Sequence, residues 1–150
     1  MRALLLLACL TVAVAANAQG DTAQHLLVGD TDVYYGITPA SAVGVHPSSH
    51  AEATMHGGAP QSRYRYHLVV AVFDRVTHKR ILDAHVSATV REFGLGETRK
   101  TLEAMTIDGN ASYGAYFDLG GAGPYRIKLD IDRPDRPGVA SGQFEYRSPQ

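Results

Sequence analysis

From Tyr64 to Phe73 the chain alternates so that both faces are apolar: Tyr66, Leu68, Val70 and Val72 fall on one side, His67, Val69, Ala71 and Phe73 on the other. A period of two marks a strand, and apolar residues on both faces mark one that runs through the middle of a sheet. Ala84, Val86, Ala88 and Val90 alternate with His85, Ser87, Thr89 and Arg91, and Tyr125, Ile127, Leu129 and Ile131 alternate with Arg126, Lys128, Asp130 and Asp132. Those two segments read as strands with one face in a core and one in water. Further strands are expected near Asp32 to Thr38, Thr101 to Ile107, Tyr113 to Leu119 and Val139 to Arg147.

Turn chemistry separates these segments at Asp74 to Lys79, Gly94 to Gly96, Asp108-Gly109, Gly120 to Pro124 and Arg133 to Gly138. About seven short strands at this spacing predict an all-β fold, an immunoglobulin-like antiparallel β-sandwich. It is immunoglobulin-like in the broad sense only, because the Cys and Trp of the antibody core are absent.

The first eighteen residues carry a different pattern. Arg2 precedes an apolar run from Ala3 to Ala16, and Ala16-Asn17-Ala18 places small residues where signal peptidase cuts. Residues 1–18 are therefore expected to be a signal peptide and residues 19–150 a single domain, exported to the periplasm or secreted. The whole chain carries 14 basic and 15 acidic residues for a formal net charge of −1, and loss of Arg2 makes the mature form one unit more negative. Nothing in that balance recruits nucleic acid or anionic lipid. Beyond residue 18 no apolar stretch is long enough to suggest a membrane span. The only cysteine, Cys9, lies in the leader, so any metal held by the mature chain is held by nitrogen, oxygen or thioether.

The candidate chemistry sits in a segment without strand or helix pattern, from about Ser41 to Ser62. Its run His46-Pro47-Ser48-Ser49-His50-Ala51-Glu52-Ala53-Thr54-Met55-His56 gathers three imidazoles, a carboxylate and a thioether with few apolar side chains. So long a loop in so small a domain is more often functional or disordered than structural. Imidazole is the commonest donor to divalent transition metals and thioether suits monovalent copper, so the mixture points to copper ahead of zinc or nickel. The expected ligands are His46, His50, Met55 and His56 from the segment and His67 from the central strand. Glu52 is a weaker candidate. The plain alternatives are a polar linker that contains histidine by chance and, for His67, burial against Tyr116 or another polar neighbour.

The remaining histidines carry less weight: His25 is expected in a free terminal tail, His78 in a turn and His85 on the exposed face of a strand. Most tyrosines are expected to pack, and Asp130 and Asp132 to lie on a solvated strand face. A phosphate loop, a G-x-S-x-G elbow and an HExxH helix are all missing, and thiol chemistry is excluded, so the chain is not expected to be an enzyme.

Two phrases carry a family resemblance. Val70 to Val90, VAVFDRVTHKRILDAHVSATV, resembles the strand, turn and strand of small exported sandwich domains with a D-x-x-T-G-x-x-I-x-D-A-x-V pattern, with His78 standing where glycine is usual. Tyr113 to Phe117 followed by Gly123 to Ile127 resembles the closing strands of YtkA-like and FixH-like domains, which are found near copper handling and cytochrome oxidase assembly. The chain lacks the membrane anchor of FixH-like proteins and the cysteines of many copper chaperones. Tyr34 to Ala40, Met55 to Gly58 and His67 to Val70 together resemble a group of uncharacterised exported bacterial proteins. The resemblance implies a sandwich with a link to copper. Two readings follow: an exported protein that buffers or delivers copper, or a non-catalytic module that docks onto another envelope protein. Open sandwich edges also allow a dimer.

Overall fold

The structure is a computed structural model that describes residues 24–43, 62–107, 109–121 and 123–147. Nine strands form among the described residues: β1 (His25–Val28), β2 (Thr31–Pro39), β3 (Arg65–Asp74), β4 (His85–Glu92), β5 (Glu97–Thr101), β6 (Glu103–Ile107), β7 (Asn110–Asp118), β8 (Tyr125–Asp132) and β9 (Val139–Tyr146). They build two antiparallel sheets, one of five strands in the order β1-β2-β3-β7-β6 and one of four in the order β5-β4-β8-β9. The expected sandwich is present, and β3 is its central strand as the doubly apolar pattern requires.

The inner faces meet in one core. Leu68, Val70 and Val72 of β3 and Tyr113, Ala115 and Phe117 of β7 pack against Val86, Ala88 and Val90 of β4 and Ile127, Leu129 and Ile131 of β8. Burying such a face is what fixes strand register, since a one-residue slip would turn it outward.

Nine strands rather than about seven arise at two places where local pattern is weak. His25 belongs to β1 and is not in a free tail; its Nε2 contacts the Asp32 carboxylate at 2.9 Å and its ring lies 4.7 Å from that of Tyr34. Four residues beside a polar stretch carry too little alternation to announce an edge strand. The strand expected near Thr101 to Ile107 is β6 (Glu103–Ile107), and the unexpected β5 (Glu97–Thr101) precedes it in the other sheet. β5 pairs with β4 and β6 with β7, and the chain crosses between layers at Leu102, which is 2% exposed and donates its N–H to the Val86 carbonyl at 2.8 Å. The expected 41–62 loop also begins differently, because α1 (Ala40–Val43) makes one helical turn after β2, with Ala40 buried.

The polar ends of the sandwich are tied by charge. Asp74 closes the β3–β4 turn: its carboxylate accepts from the backbone N–H of Val76 and Thr77, the Thr77 hydroxyl and Arg133. Arg133 also forks onto Asp135, and Arg136 reaches Asp30 at 2.9 Å, so three loops share one network. The Thr77 N–H, with help from Arg133 and the Thr77 hydroxyl, holds the Asp74 carboxyl well below the usual carboxylate range. His78 stands in the same turn at φ 55°, the left-handed conformation that explains glycine at that position in the resembling pattern.

Asp130 does not lie on a solvated face. It is 5% exposed beneath Arg99 at 2.8 Å and Lys128 at 2.9 Å, and it accepts from the Ser141 hydroxyl at 2.6 Å. Burial pushes its carboxyl upward, but the hydrogen bonds from Lys128 and Ser141 and the neighbouring positive charges outweigh that and hold it low. Asp132 is exposed, as expected.

Candidate metal centre

The outer face of the five-stranded sheet carries buried side chains that are not part of the core. His67, Met105, Ser112 and Tyr116 are 2%, 7%, 6% and 6% exposed, yet they point away from the inner face that Leu68, Tyr113 and Phe117 occupy. Register places them together: His67 lies opposite Tyr116 on β7 and Thr38 on β2, while Met105 on β6 lies opposite Ser112. The His67 ring stacks on Tyr116 with centroids 4.6 Å apart and planes 26° from parallel. The plain expectation for His67, burial against Tyr116, is therefore met.

Between these residues lies Gly114, whose neighbours across the sheet are Val69 and Glu103. A Cβ at residue 114 would stand 2.8 Å from His67 Nε2, 2.7 Å from Met105 Cε and 3.0 Å from Met105 Sδ. The bare glycine thus makes a notch that an imidazole nitrogen and a thioether sulfur enter from opposite sides. Glycine inside a strand commonly marks such a close approach. Glu103, exposed, faces the same notch from the edge strand. Lys100 on β5 donates to the Tyr116 carbonyl at 2.7 Å and ties this part of β7 to the other layer.

His67 is the one expected ligand that falls among the described residues. His46, His50, Met55 and His56, with Glu52 and the expected signal peptide 1–18, lie outside them. The described residues on either side of 44–61 are Val43 and Ser62, next to the end of the β2–β3 ladder where Thr38 pairs with His67 and Pro39 with Tyr66. Met105 was not among the expected ligands. Its signals were faint: one methionine on a strand, and a glycine between aromatic residues on the next. Among the described residues no three His, Cys, Asp or Glu side chains converge as a metal site. His78 is in a turn and His85 on an exposed strand face, both as expected.

Among the described residues no helix is long and apolar enough to cross a membrane. No family model matches the chain, and no curated protein does. Solved structures do. A DUF4426 family protein from Pseudomonas aeruginosa superposes with a TM-score of 0.62 at 16% identity, over 85% of this chain and 96% of that one. A copper-bound glutamate-to-glutamine variant of FetP from uropathogenic Escherichia coli superposes with a TM-score of 0.58 at 15% identity, over 81% and 93%. A copper-bound methionine-to-isoleucine variant of Campylobacter jejuni P19 gives 0.59 at 9% identity, over 83% and 94%. At these identities the likeness is one of fold, and the β-sandwich of this chain is the fold it shares with DUF4426, FetP and P19 proteins.

Proposed function

We propose that this chain is an exported, non-enzymatic copper-binding protein whose residues 19–150 form one domain, and that the Gly114 notch is the rigid half of its site. The observation that carries the reading is the approach of His67 Nε2 and Met105 Sδ to one point over Gly114. An imidazole and a thioether suit copper in either oxidation state better than zinc or nickel, with the sulfur favouring the monovalent ion. Two donors do not complete a coordination shell. His46, His50, Met55 and His56 would supply the rest from the segment that joins the fold at this end, and Glu103 adds a carboxylate at the rim. The sheet fixes its own two donors through the Tyr116 stack and the β6–β7 ladder, so little ordering is left for the metal to impose on them. The copper-bound FetP and P19 structures of the same fold support the reading, as does the periplasmic expression of recombinant FetP.

The test is titration of the mature, tag-free protein with cuprous and cupric ions. Replacing His67 with glutamine should weaken both by about tenfold or more, and Met105→Leu should weaken cuprous binding more than cupric. Replacing His46, His50, Met55 and His56 together should have an effect at least as large. Binding should also fade as pH falls through the imidazole range, because protons compete for the same lone pairs. Undiminished affinity in all three variants would refute the site. Absence of any binding would favour the second reading, a docking module, which one observation supports: Phe93 and Leu95 stand 84% and 66% exposed at the β4–β5 turn.

A further inference from the structure

Two pleats along β3 from His67, the same outer face carries a second concavity. A cavity of about 490 Å³ is lined there by Asp32, Tyr34, Ala71, Phe73, His78 and Arg80. One face of each ring is already taken: the His25 ring lies 4.7 Å from that of Tyr34, and the Arg80 guanidinium sits 4.6 Å above Phe73. Tyr34 and Phe73 meet edge to face at 5.6 Å and 89°. The two rings therefore stand as an aromatic wall beside the arginine.

Arg80 is held in place before any ligand arrives. Its Nη1 donates to the Ala111 carbonyl at 2.5 Å and its plane is fixed on Phe73, which leaves further N–H groups of the same rigid fork. Asp32, the only carboxylate of the lining among the described residues, is engaged by His25 Nε2 at 2.9 Å. His78 brings a second imidazole to the rim from a backbone conformation that side chains rarely adopt. A bare inorganic anion would leave most of the volume empty, and the small Ala71 floor offers apolar surface beside the charge.

We propose that this cavity binds a small organic carboxylate with a planar apolar body. The carboxylate takes the remaining donors of Arg80, where a planar fork matches two oxygens, and the body lies on Ala71 beside Tyr34 and Phe73. This site is independent of the copper reading, since it shares no donor with His67 or Met105.

The experiment is titration of the isotope-labelled full chain with benzoate, using benzamide as the uncharged analogue of the same shape. Saturable shifts are expected at the amides of Asp32, Phe73 and Arg80, with a dissociation constant of about a millimolar for so small a probe. Benzamide and the Arg80→Gln variant should each bind about tenfold more weakly or worse. Ala71→Leu, which fills the floor and leaves the arginine in place, should abolish the shifts, and it carries the test should Arg80→Gln fail to fold. Benzoate without saturable shifts, benzamide of equal affinity, or unchanged binding in a folded variant would each overturn the proposal.

Discussion

Replacing Tyr113 with phenylalanine removes one oxygen and two hydrogen bonds from the core. The Tyr113 hydroxyl accepts from the Ala84 N–H at 3.0 Å and donates to the Ile81 carbonyl at 3.1 Å. It thereby fastens the strap between β3 and β4 to β7 of the five-stranded sheet. Tyr113, Ala84 and Ile81 are 3%, 7% and 9% exposed, so the two backbone groups have little water to turn to. The ring stays, which leaves almost no cavity, and the cost is that of one orphaned donor and one orphaned acceptor, about 1–3 kcal/mol each where water is excluded. Allowing for partial rescue by water, the expected loss is about 2–4 kcal/mol. With an m value of about 2 kcal/mol/M in urea, the midpoint should fall by about 1–2 M with m unchanged.

The same substitution has a signature in base. Burial pushes the Tyr113 hydroxyl above its ordinary value, helped by the charge of Asp83 and opposed by the Ala84 N–H. A group whose folded pKa is raised contributes stability below its unfolded value of about 10 and loses it as pH climbs through the folded value. Phenylalanine should therefore flatten part of the alkaline limb while Tyr35 and Tyr125, also pushed up by burial, keep the remainder. A urea shift equivalent to less than about 0.5 kcal/mol would show that water serves both strap groups, and the reasoning would fail.

Three further outcomes can be measured. Gly114→Ala should lower copper affinity by about tenfold or more while costing about 1–3 kcal/mol of stability, because the new Cβ collides with an imidazole held by its stack and with a methionine that can move only partway; an unchanged copper isotherm would separate the notch from the metal. Stability should be level above about pH 4 and fall below it, since Asp74, Asp130 and Asp135 bind their protons more weakly folded than unfolded. Asp74→Asn should be less stable at neutral pH and show a shallower acid limb in pH-dependent urea melts. His78→Gly should raise stability by about 0.5–1 kcal/mol by relieving the left-handed backbone, read as a small upward shift in melting temperature, and a lower one would mean that the imidazole holds the turn.

Legibility of the fold followed the strength of local alternation. β8 begins and ends where its pattern does, at Tyr125 and Asp132, because Tyr125, Ile127, Leu129 and Ile131 all enter the core. β5 was hidden for the opposite reason: Glu97 to Thr101 is polar throughout, and an edge strand needs no apolar face to pair with β4. Asp130 looked solvated because alternation tells which face a residue is on and nothing about the long Arg99 and Lys128 side chains that roof it. The site divides in the same way. His67 and its Tyr116 neighbour could be anticipated from composition and strand phase. Met105 could not, since its meeting with His67 depends on two ladders, β3 with β7 and β6 with β7, whose registers are set by core packing far from either residue.

The crossing at Leu102 has an evolutionary consequence. Two residues separate it from Met105, and side chains along a strand change sides at every step, so odd and even length changes in this short stretch are not equivalent. Gaining or losing a single residue there would point the sulfur into the hydrophobic interior and bring a threonine or alanine to the exterior. Gaining or losing a pair would preserve its side and merely slide it along. Among descendants of this sequence, length variation between the two layers should therefore obey parity wherever the thioether is kept.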